Sequence, residues 1–283
     1  MDFLQPVTWD DALAAKAERP DALPIFGGTD VMVDLNFDRR RPQALLDLTL
    51  VAPLSDWDHD GVHLRIGAGV TYRRIIEELG AELPGLAMAS RTVGSPQIRN
   101  RGTVGGNLGS ASPAGDAHPP LLASQAIVEL ASVRGTRAVP MTEFFTGPKR
   151  SVLAADELIA AVLAEPAAGP QQFAKVGTRN AMVIAVCSFA VALDAERRHV
   201  GTGIGSAAPT PRRAVEAERL AAELPWQTGA ALPESLTRKF GQLVAAATSP
   251  IDDVRGSADY RRHALAVLAQ RTLTWAWRDY QCA

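Results

Sequence analysis

Two glycine-rich segments constrain the fold of this chain more than any other feature of its sequence. The first reads FGGTD over residues 26–30, and the second reads TVGGNLGSASPAGD over residues 103–116. Glycine allows successive backbone N–H groups to converge on one oxygen atom, and a Ser or Thr hydroxyl adds a donor. Such a segment can bind a phosphate group, although either segment alone is more typical of a tight turn.

Neither segment matches the nucleotide-binding patterns of the common α/β folds. The sequence has no GxGxxG within a βαβ unit and no GxxxxGK[ST]. These two patterns mark the dinucleotide-binding and P-loop sites. A phosphate held by the two segments therefore requires another fold, and a nicotinamide dinucleotide is not supported as the main ligand.

Helices and strands are both predicted along the whole chain. Thr8 and Thr71 each precede a stretch typical of a capped helix, and Ile75, Ile76 and Leu79 share one face of the second helix. Residues 31–35, after the first glycine pair, fit either a helix or a strand. The other predictions are strands over 23–26, 63–66, 182–193 and 201–207, a hairpin over 126–139, and helices over 211–222, 233–247 and 258–277. We therefore predict the α+β class.

Charge and composition exclude several kinds of site. The net charge of −2 gives no long-range field for nucleic acid or an anionic membrane. The N-terminus lacks a signal peptide and no apolar run approaches the ~20 residues of a membrane span, so we expect a cytoplasmic chain without membrane insertion. Two cysteines cannot hold an iron–sulfur cluster, and the five histidines lack ligand spacing, so we expect no metal and loop or surface positions for the histidines.

Three segments, in this order and spacing, resemble the FAD-binding subunit of molybdenum hydroxylases. They are GGTDV (27–31), SPQIRNRGTVGGNLGSASPAGD (95–116) and FAKVGTR (173–179), and residues 203–220 resemble the C-terminal domain of that family. The family includes the medium subunits of carbon monoxide dehydrogenase and bacterial xanthine dehydrogenase.

The resemblance implies a fold of the vanillyl-alcohol-oxidase type. It has an FAD-binding domain of two α/β subdomains and a C-terminal α/β domain. Residues 165–170 contain two prolines and a glycine and are the best candidate for a linker. We therefore place the FAD-binding domain at 1–170, with subdomains over about 1–55 and 56–170, and the C-terminal domain at 171–283.

The resemblance also implies which residues contact FAD. The two pyrophosphate segments would consist of Gly27, Gly28, Thr29, Asp30 and Val31 in the first, and Thr103, Gly105, Gly106 and Asn107 in the second. Ser112 and Asp116 would also lie on the cofactor. Asp116 would accept a hydrogen bond from a ribose hydroxyl or from the polar edge of the flavin, or would instead cap the helix that follows.

Three further residues match positions near the flavin ring in that family. Lys175 would stabilise the negative charge of the reduced ring at N1–C2, or would be a solvated strand lysine. Leu158 and Ile159 would pack against the ring, or would be ordinary core residues. His118 lies close enough to the second segment to contact the flavin. No general acid, base or nucleophile is expected, and the glutamates at 77, 78, 216 and 218 are predicted to be solvated helix charges.

The function implied by the resemblance is that of an oxidoreductase component. The chain would pass electrons from the [2Fe–2S] clusters of a small subunit through FAD to NAD⁺, oxygen or quinone. A molybdopterin-containing large subunit would oxidise the substrate, in a heterotrimer or its dimer. The alternatives are a stand-alone FAD-dependent oxidoreductase of the same superfamily and a non-catalytic assembly module whose glycine segments are only turns.

Overall fold

Three larger β-sheets follow one another along the chain in the computed structural model, which describes residues 1–282. Each sheet carries helices, and the predicted α+β class is confirmed. Within these residues, no helix combines the length and apolar character needed to cross a membrane.

The first sheet is parallel, and its strand order is β1-β3-β2. Its elements are β1 (Asp2–Leu4), α1 (Trp9–Glu18), β2 (Leu23–Ile25), α2 (Val31–Asn36) and β3 (Ala44–Asp47). Thr8 caps α1 as predicted, because its hydroxyl accepts a hydrogen bond from the Asp11 amide at 3.1 Å. The segment after the first glycine pair, for which helix and strand were both open, is the helix α2.

The second sheet is antiparallel and has the strand order β4-β5-β10-β6-β7. The predicted hairpin is confirmed, with its turn at Val133 and Arg134. The first two sheets share one apolar core, which includes Leu46, Ile66 and Leu108. The elements are β4 (Trp57–His59), β5 (Leu64–Gly67), α3 (Tyr72–Glu78), α4 (Pro84–Arg91), α5 (Pro96–Arg99), α6 (Val104–Ser110), α7 (His118–Ala123), β6 (Ile127–Ser132), β7 (Gly135–Pro140), α8 (Met141–Phe144), β8 (Phe145–Gly147), β9 (Arg150–Ser151) and β10 (Leu158–Ala164).

The third sheet is antiparallel in the order β11-β12-β13 and packs against three helices around a second core with Phe189, Phe240 and Trp277. The elements are β11 (Gln171–Val176), β12 (Cys187–Asp194), β13 (His199–Gly205), α9 (Val215–Ala221), α10 (Glu234–Ala246) and α11 (Ala258–Cys282). The strand predicted from residue 182 is wrong at its start. Met182 has a φ of +49°, which a strand cannot accommodate, and the strand begins at Cys187.

A small apolar cluster joins the two cores. It contains Ala89 of α4 and Ala123 of α7 on one side, and Phe173 of β11 and Ala190 of β12 on the other. This packing places the loop before α7 beside the end of β11, where the candidate site lies. The domain boundaries proposed from the sequence stay predictions, and the three sheets occupy residues 2–47, 57–164 and 171–205.

One glutamate expected to be solvated is buried. Glu218 of α9 accepts hydrogen bonds from the Thr202 amide at 2.9 Å and the Thr202 hydroxyl at 2.7 Å. Arg213 supplies the matching positive charge at 2.5 Å. The prediction was wrong for this residue because all of these partners come from elements beyond its own helix. Its role is to fasten α9 to β13.

Candidate functional site

The first glycine pair follows the carboxyl end of β2 and leads directly into α2. The amides of Gly27, Gly28, Thr29 and Asp30 donate to no protein acceptor within the described part of the chain. Both glycines are required here. Gly28 has a φ of +71°, and a Cβ on Gly27 would lie 1.9 Å from the carbonyl oxygen of Arg101. Successive unpaired amides in a tight turn form a concave site for an anion.

The second glycine pair lies in the first turn of α6, and its amides are already paired. The Thr103 hydroxyl caps this helix by accepting a hydrogen bond from the Gly106 amide at 2.9 Å. The amide of Gly105 donates to the Ala68 carbonyl at 3.0 Å, and that of Asn107 to the Thr103 carbonyl at 3.1 Å. The convergence of N–H groups predicted for this segment is therefore not observed, because helix and cap formation engage those groups.

The two segments lie against each other. The Ser110 hydroxyl at the end of α6 hydrogen-bonds to the carboxylate of Asp30. Within residues 1–282, five buried side-chain atoms have no hydrogen-bond partner, and all five belong to the second segment or to residues bonded beside it. They are Tyr72 Oη, Asn107 Oδ1, Asp116 Oδ1, His118 Nδ1 and Ser206 Oγ. Each unpaired buried group costs about 1–3 kcal/mol, so this concentration indicates a place built for a polar ligand.

A buried ion pair lies at the far end of the second segment. Lys175 Nζ is 2.6 Å from Asp116 Oδ2, and the two side chains are 9% and 10% exposed. The ammonium also donates to the carbonyls of Thr92 at 3.0 Å and Val183 at 3.2 Å. Burial raises the pKa of Asp116, and the positive charge of Lys175 opposes that shift.

The structure contradicts the two interpretations that gave this pair no role at the cofactor. Lys175 is not a solvated strand lysine, because three acceptors surround its ammonium and leave it almost no exposed surface. Asp116 is not a helix cap, because Ala117 occupies the N-cap position of α7 and that helix has no side-chain cap. The pair instead joins the loop before α7 to β11, across the junction between the two cores.

His118 is buried, contrary to the expectation of a loop or surface histidine. Its ring has no exposed surface, and its Nε2 lies 3.3 Å from the Asn107 carbonyl oxygen. The ring also packs on Phe145 with centroids 4.6 Å apart. Burial lowers the pKa of His118 to about 4, so the ring is neutral at neutral pH. The contact with the Asn107 carbonyl places His118 directly beside the second glycine segment.

The remaining predicted residues occupy different surroundings. Ile159 contributes to the core beside α6, since a Cβ on Gly109 would lie 3.8 Å from its Cδ1, and Leu158 is a fully packed core residue. Ser112 caps its own turn by accepting from the Ala114 amide at 3.3 Å. Val31 is the half-buried first residue of α2. Tyr72 and Thr92 also lie at the site but carry no motif in the sequence. The only local signal is that Tyr72 directly follows the Thr71 cap.

Two family models match consecutive parts of the chain. The FAD binding domain in molybdopterin dehydrogenase matches residues 1–164, and the CO dehydrogenase flavoprotein C-terminal domain matches residues 172–276. The chain belongs to the FAD-binding subunits of molybdenum hydroxylases. This membership confirms the resemblance seen in the sequence and makes FAD the cofactor.

Relatives of this FAD-binding subunit match it over nearly its whole length. It is 32% identical to the xanthine dehydrogenase FAD-binding subunit of Escherichia coli O157:H7, over 97% of this chain and 95% of the relative. It is 30% identical to the nicotine 6-hydroxylase medium subunit of Paenarthrobacter nicotinovorans, over 97% and 96%. A chain of reconstituted CO dehydrogenase from Oligotropha carboxidovorans superposes with a TM-score of 0.91 at 27% identity, covering 99% and 98%.

The residues present fit FAD. The free amides from Gly27 to Asp30 suit the negative diphosphate, and the unpaired polar atoms beside α6 need partners that a polar cofactor can supply. Within the described chain, no group of three or more His, Cys, Asp or Glu side chains could hold a metal ion. The individual FAD contacts named from the sequence stay predictions.

Proposed function

We propose that this FAD-binding subunit transfers electrons within a molybdenum hydroxylase complex. It would receive them from the [2Fe–2S] clusters of a small subunit, after a molybdopterin-containing large subunit has oxidised the substrate. The acceptor would be NAD⁺, oxygen or quinone, and the complex a heterotrimer or its dimer. Relatives named as medium subunits of nicotine 6-hydroxylase and carbon monoxide dehydrogenase support this proposal.

The observation that carries the proposal is the row of free amides in the first glycine segment. These amides would bind the FAD diphosphate. From the second segment, the Thr103 hydroxyl accepts from Gly106 and keeps its own hydrogen available for a phosphate oxygen. The side chain of Asn107, whose Oδ1 lacks a partner within residues 1–282, would bind the cofactor next to it. The two segments thus contribute different donors, backbone from one and side chain from the other.

The ion pair of Lys175 and Asp116 would lie at the flavin end of the site. Bound FAD supplies the redox chemistry, because a flavin exchanges electrons singly or in pairs. Lys175 would place a positive charge near the ring, and Asp116 would largely neutralise it at 2.6 Å. The electric field of the ammonium at the flavin would therefore be largely cancelled by that of the carboxylate. Ser112, Leu158, Ile159 and Val31 would complete the contacts.

An exposed apolar surface lies beside this ion pair. The loop between β11 and β12 holds Lys175 through the Val183 carbonyl and exposes the two apolar neighbours of that residue. Met182 is 55% exposed and Ile184 is 60% exposed. Exposed apolar side chains next to a redox site favour a partner protein over solvent. We propose that the small subunit covers this loop.

The first test is the absorption spectrum of the purified chain, followed by denaturation and identification of the released chromophore. The proposal predicts flavin bands and free FAD. A colourless protein that takes up no added FAD would contradict it. The complex isolated through a tag on this chain should then contain iron and molybdenum with FAD, and substrate should bleach the flavin only in that complex.

Two variants test whether the small subunit binds the exposed loop between β11 and β12. The double variant M182D/I184D should retain FAD but lose iron from the tagged complex. Val133→Asp is the matched control, because Val133 is 57% exposed at the tip of the β6–β7 hairpin. Equal iron content in both preparations would place the small subunit elsewhere.

A further inference from the structure

Tyr72 is a buried residue that no assignment of the site has included. It is the first residue of α3 and only 2% exposed. Its hydroxyl has no hydrogen-bond partner anywhere in residues 1–282. A hydroxyl removed from water without a partner is unfavourable, so its position requires an explanation.

The ring of Tyr72 packs against the backbone next to both glycine segments. Its backbone amide donates to the Gly102 carbonyl at 3.0 Å, and a Cβ on Gly102 would lie 3.4 Å from its Cδ2. Gly102 in turn adjoins the first segment, since its nitrogen would be 3.1 Å from a Cβ on Gly27. The tyrosine ring therefore packs beside Gly102, the residue that precedes the second segment and adjoins Gly27 of the first.

The surroundings of the hydroxyl keep it protonated, so that it can donate a hydrogen bond. Burial first, and then the negative charges of Asp116 and Asp30, raise the pKa of Tyr72 well above its usual value. The hydroxyl thus remains a donor, within the field of one carboxylate from each segment. Neither carboxylate bonds to it. Asp30 accepts from Ser110, Asp116 Oδ2 accepts from Lys175, and Asp116 Oδ1 is itself without a partner within residues 1–282.

We propose that the Tyr72 hydroxyl donates a hydrogen bond to an oxygen of the FAD diphosphate. This inference rests on the proposed placement of the diphosphate at the free amides from Gly27 to Asp30. It adds a side-chain donor from α3 to a cradle otherwise formed by the two glycine segments. Tyr72 acts as a binding and positioning residue and takes no part in electron transfer.

The chain has three tyrosines, and they provide matched variants. Tyr72 is buried and unpaired, Tyr280 donates to the Trp226 carbonyl at 3.0 Å, and Tyr260 is 48% exposed. Each is changed to phenylalanine, which removes only the hydroxyl. The full-length chain is stripped of flavin, its thermal unfolding is recorded, and FAD is then titrated while flavin fluorescence is followed.

The proposal predicts that the Tyr72 variant loses FAD affinity without losing stability in the flavin-free chain. Tyr72→Phe should not lower the unfolding temperature of the flavin-free chain, because it removes an unpaired buried group. The same variant should weaken FAD binding about tenfold or more, as expected for losing a hydrogen bond to a charged group. Tyr280→Phe should lower the unfolding temperature without changing FAD affinity, and Tyr260→Phe should change neither.

ADP serves as a second probe, because it carries the diphosphate without the flavin. Tyr72→Phe should weaken ADP and FAD binding by the same factor. Unchanged FAD affinity would overturn the proposal, and so would a loss confined to FAD, which would move the contact to the ribityl–flavin part. A wild-type chain that binds no FAD would instead contradict the proposed function of the whole site.

Discussion

Replacing Lys175 with methionine would test whether the buried ion pair holds the site together. Methionine keeps the length and flexibility of the side chain but removes the charge and its donors. Asp116 would then remain almost fully buried with only the Thr92 hydroxyl, 3.3 Å from its Oδ2, as a partner. The backbone carbonyls of Thr92 and Val183 would lose a donor as well.

The expected loss follows from the burial of both partners. Removing one member of a buried pair leaves an uncompensated charge and destabilises a protein by about 3–5 kcal/mol. Asp116→Asn should cost less, because Lys175 keeps its two carbonyl acceptors. The double variant should be more stable than the sum of the single effects predicts, by about 1–3 kcal/mol, because it contains no unpaired charge.

Urea unfolding of the flavin-free chain would measure the four free energies of this cycle. The control is Arg197→Met, which breaks the Arg197–Glu165 pair. That pair has a similar separation of 2.7 Å, but its side chains are 64% and 43% exposed. The control should cost less than about 1 kcal/mol. Equal losses in Lys175→Met and Arg197→Met would refute the reasoning, since burial would then not decide the strength of the pair.

The same variants would show how the pair acts on the flavin. Lys175→Met should lower the reduction potential of bound FAD, because the reduced ring loses a stabilising positive charge. Asp116→Asn should raise it, since Lys175 would act without its counter-charge. Redox titration of the loaded chain measures both shifts. Identical potentials in all variants would place the pair outside the electrostatic range of the ring.

Two further predictions concern His118 and the glycines. The folded pKa of His118, about 4, lies below its ordinary value of 6.5, so the unfolded chain binds the proton first and stability falls as the pH falls. Between pH 7 and pH 5, the free energy of unfolding measured in urea should fall by about 2 kcal/mol more in the wild type than in His118→Phe. The exposed His263→Gln is the control, and it should follow the wild type. Parallel losses in the wild type and His118→Phe would contradict this prediction. Gly27→Ala should reduce FAD affinity more than tenfold by displacing the loop from Arg101, whereas Gly106→Ala, which meets only the Thr103 hydroxyl oxygen at 3.0 Å, should reduce it less. Gly106→Asp should abolish FAD binding through its charge next to the diphosphate, and retained flavin in that variant would place the diphosphate away from α6.

Short-range features of this protein could be predicted from its sequence. The Thr8 and Thr71 caps, the hairpin over 126–139, and the strand that ends at the first glycine pair all depend on neighbours within a few residues. The order and spacing of the glycine segments were also sufficient to identify the family and its cofactor. These features require no knowledge of which distant segments meet.

The tertiary structure decided the state of each polar group in the site. The sequence did not reveal that the amides of the first segment stay free while those of the second are engaged in α6. Nor did it reveal the burial of Lys175, whose partner Asp116 is 59 residues away, or that of His118 and Glu218. Whether a charge is solvated or paired depends on the elements packed around it, and long-range packing brings those elements together only in the folded chain.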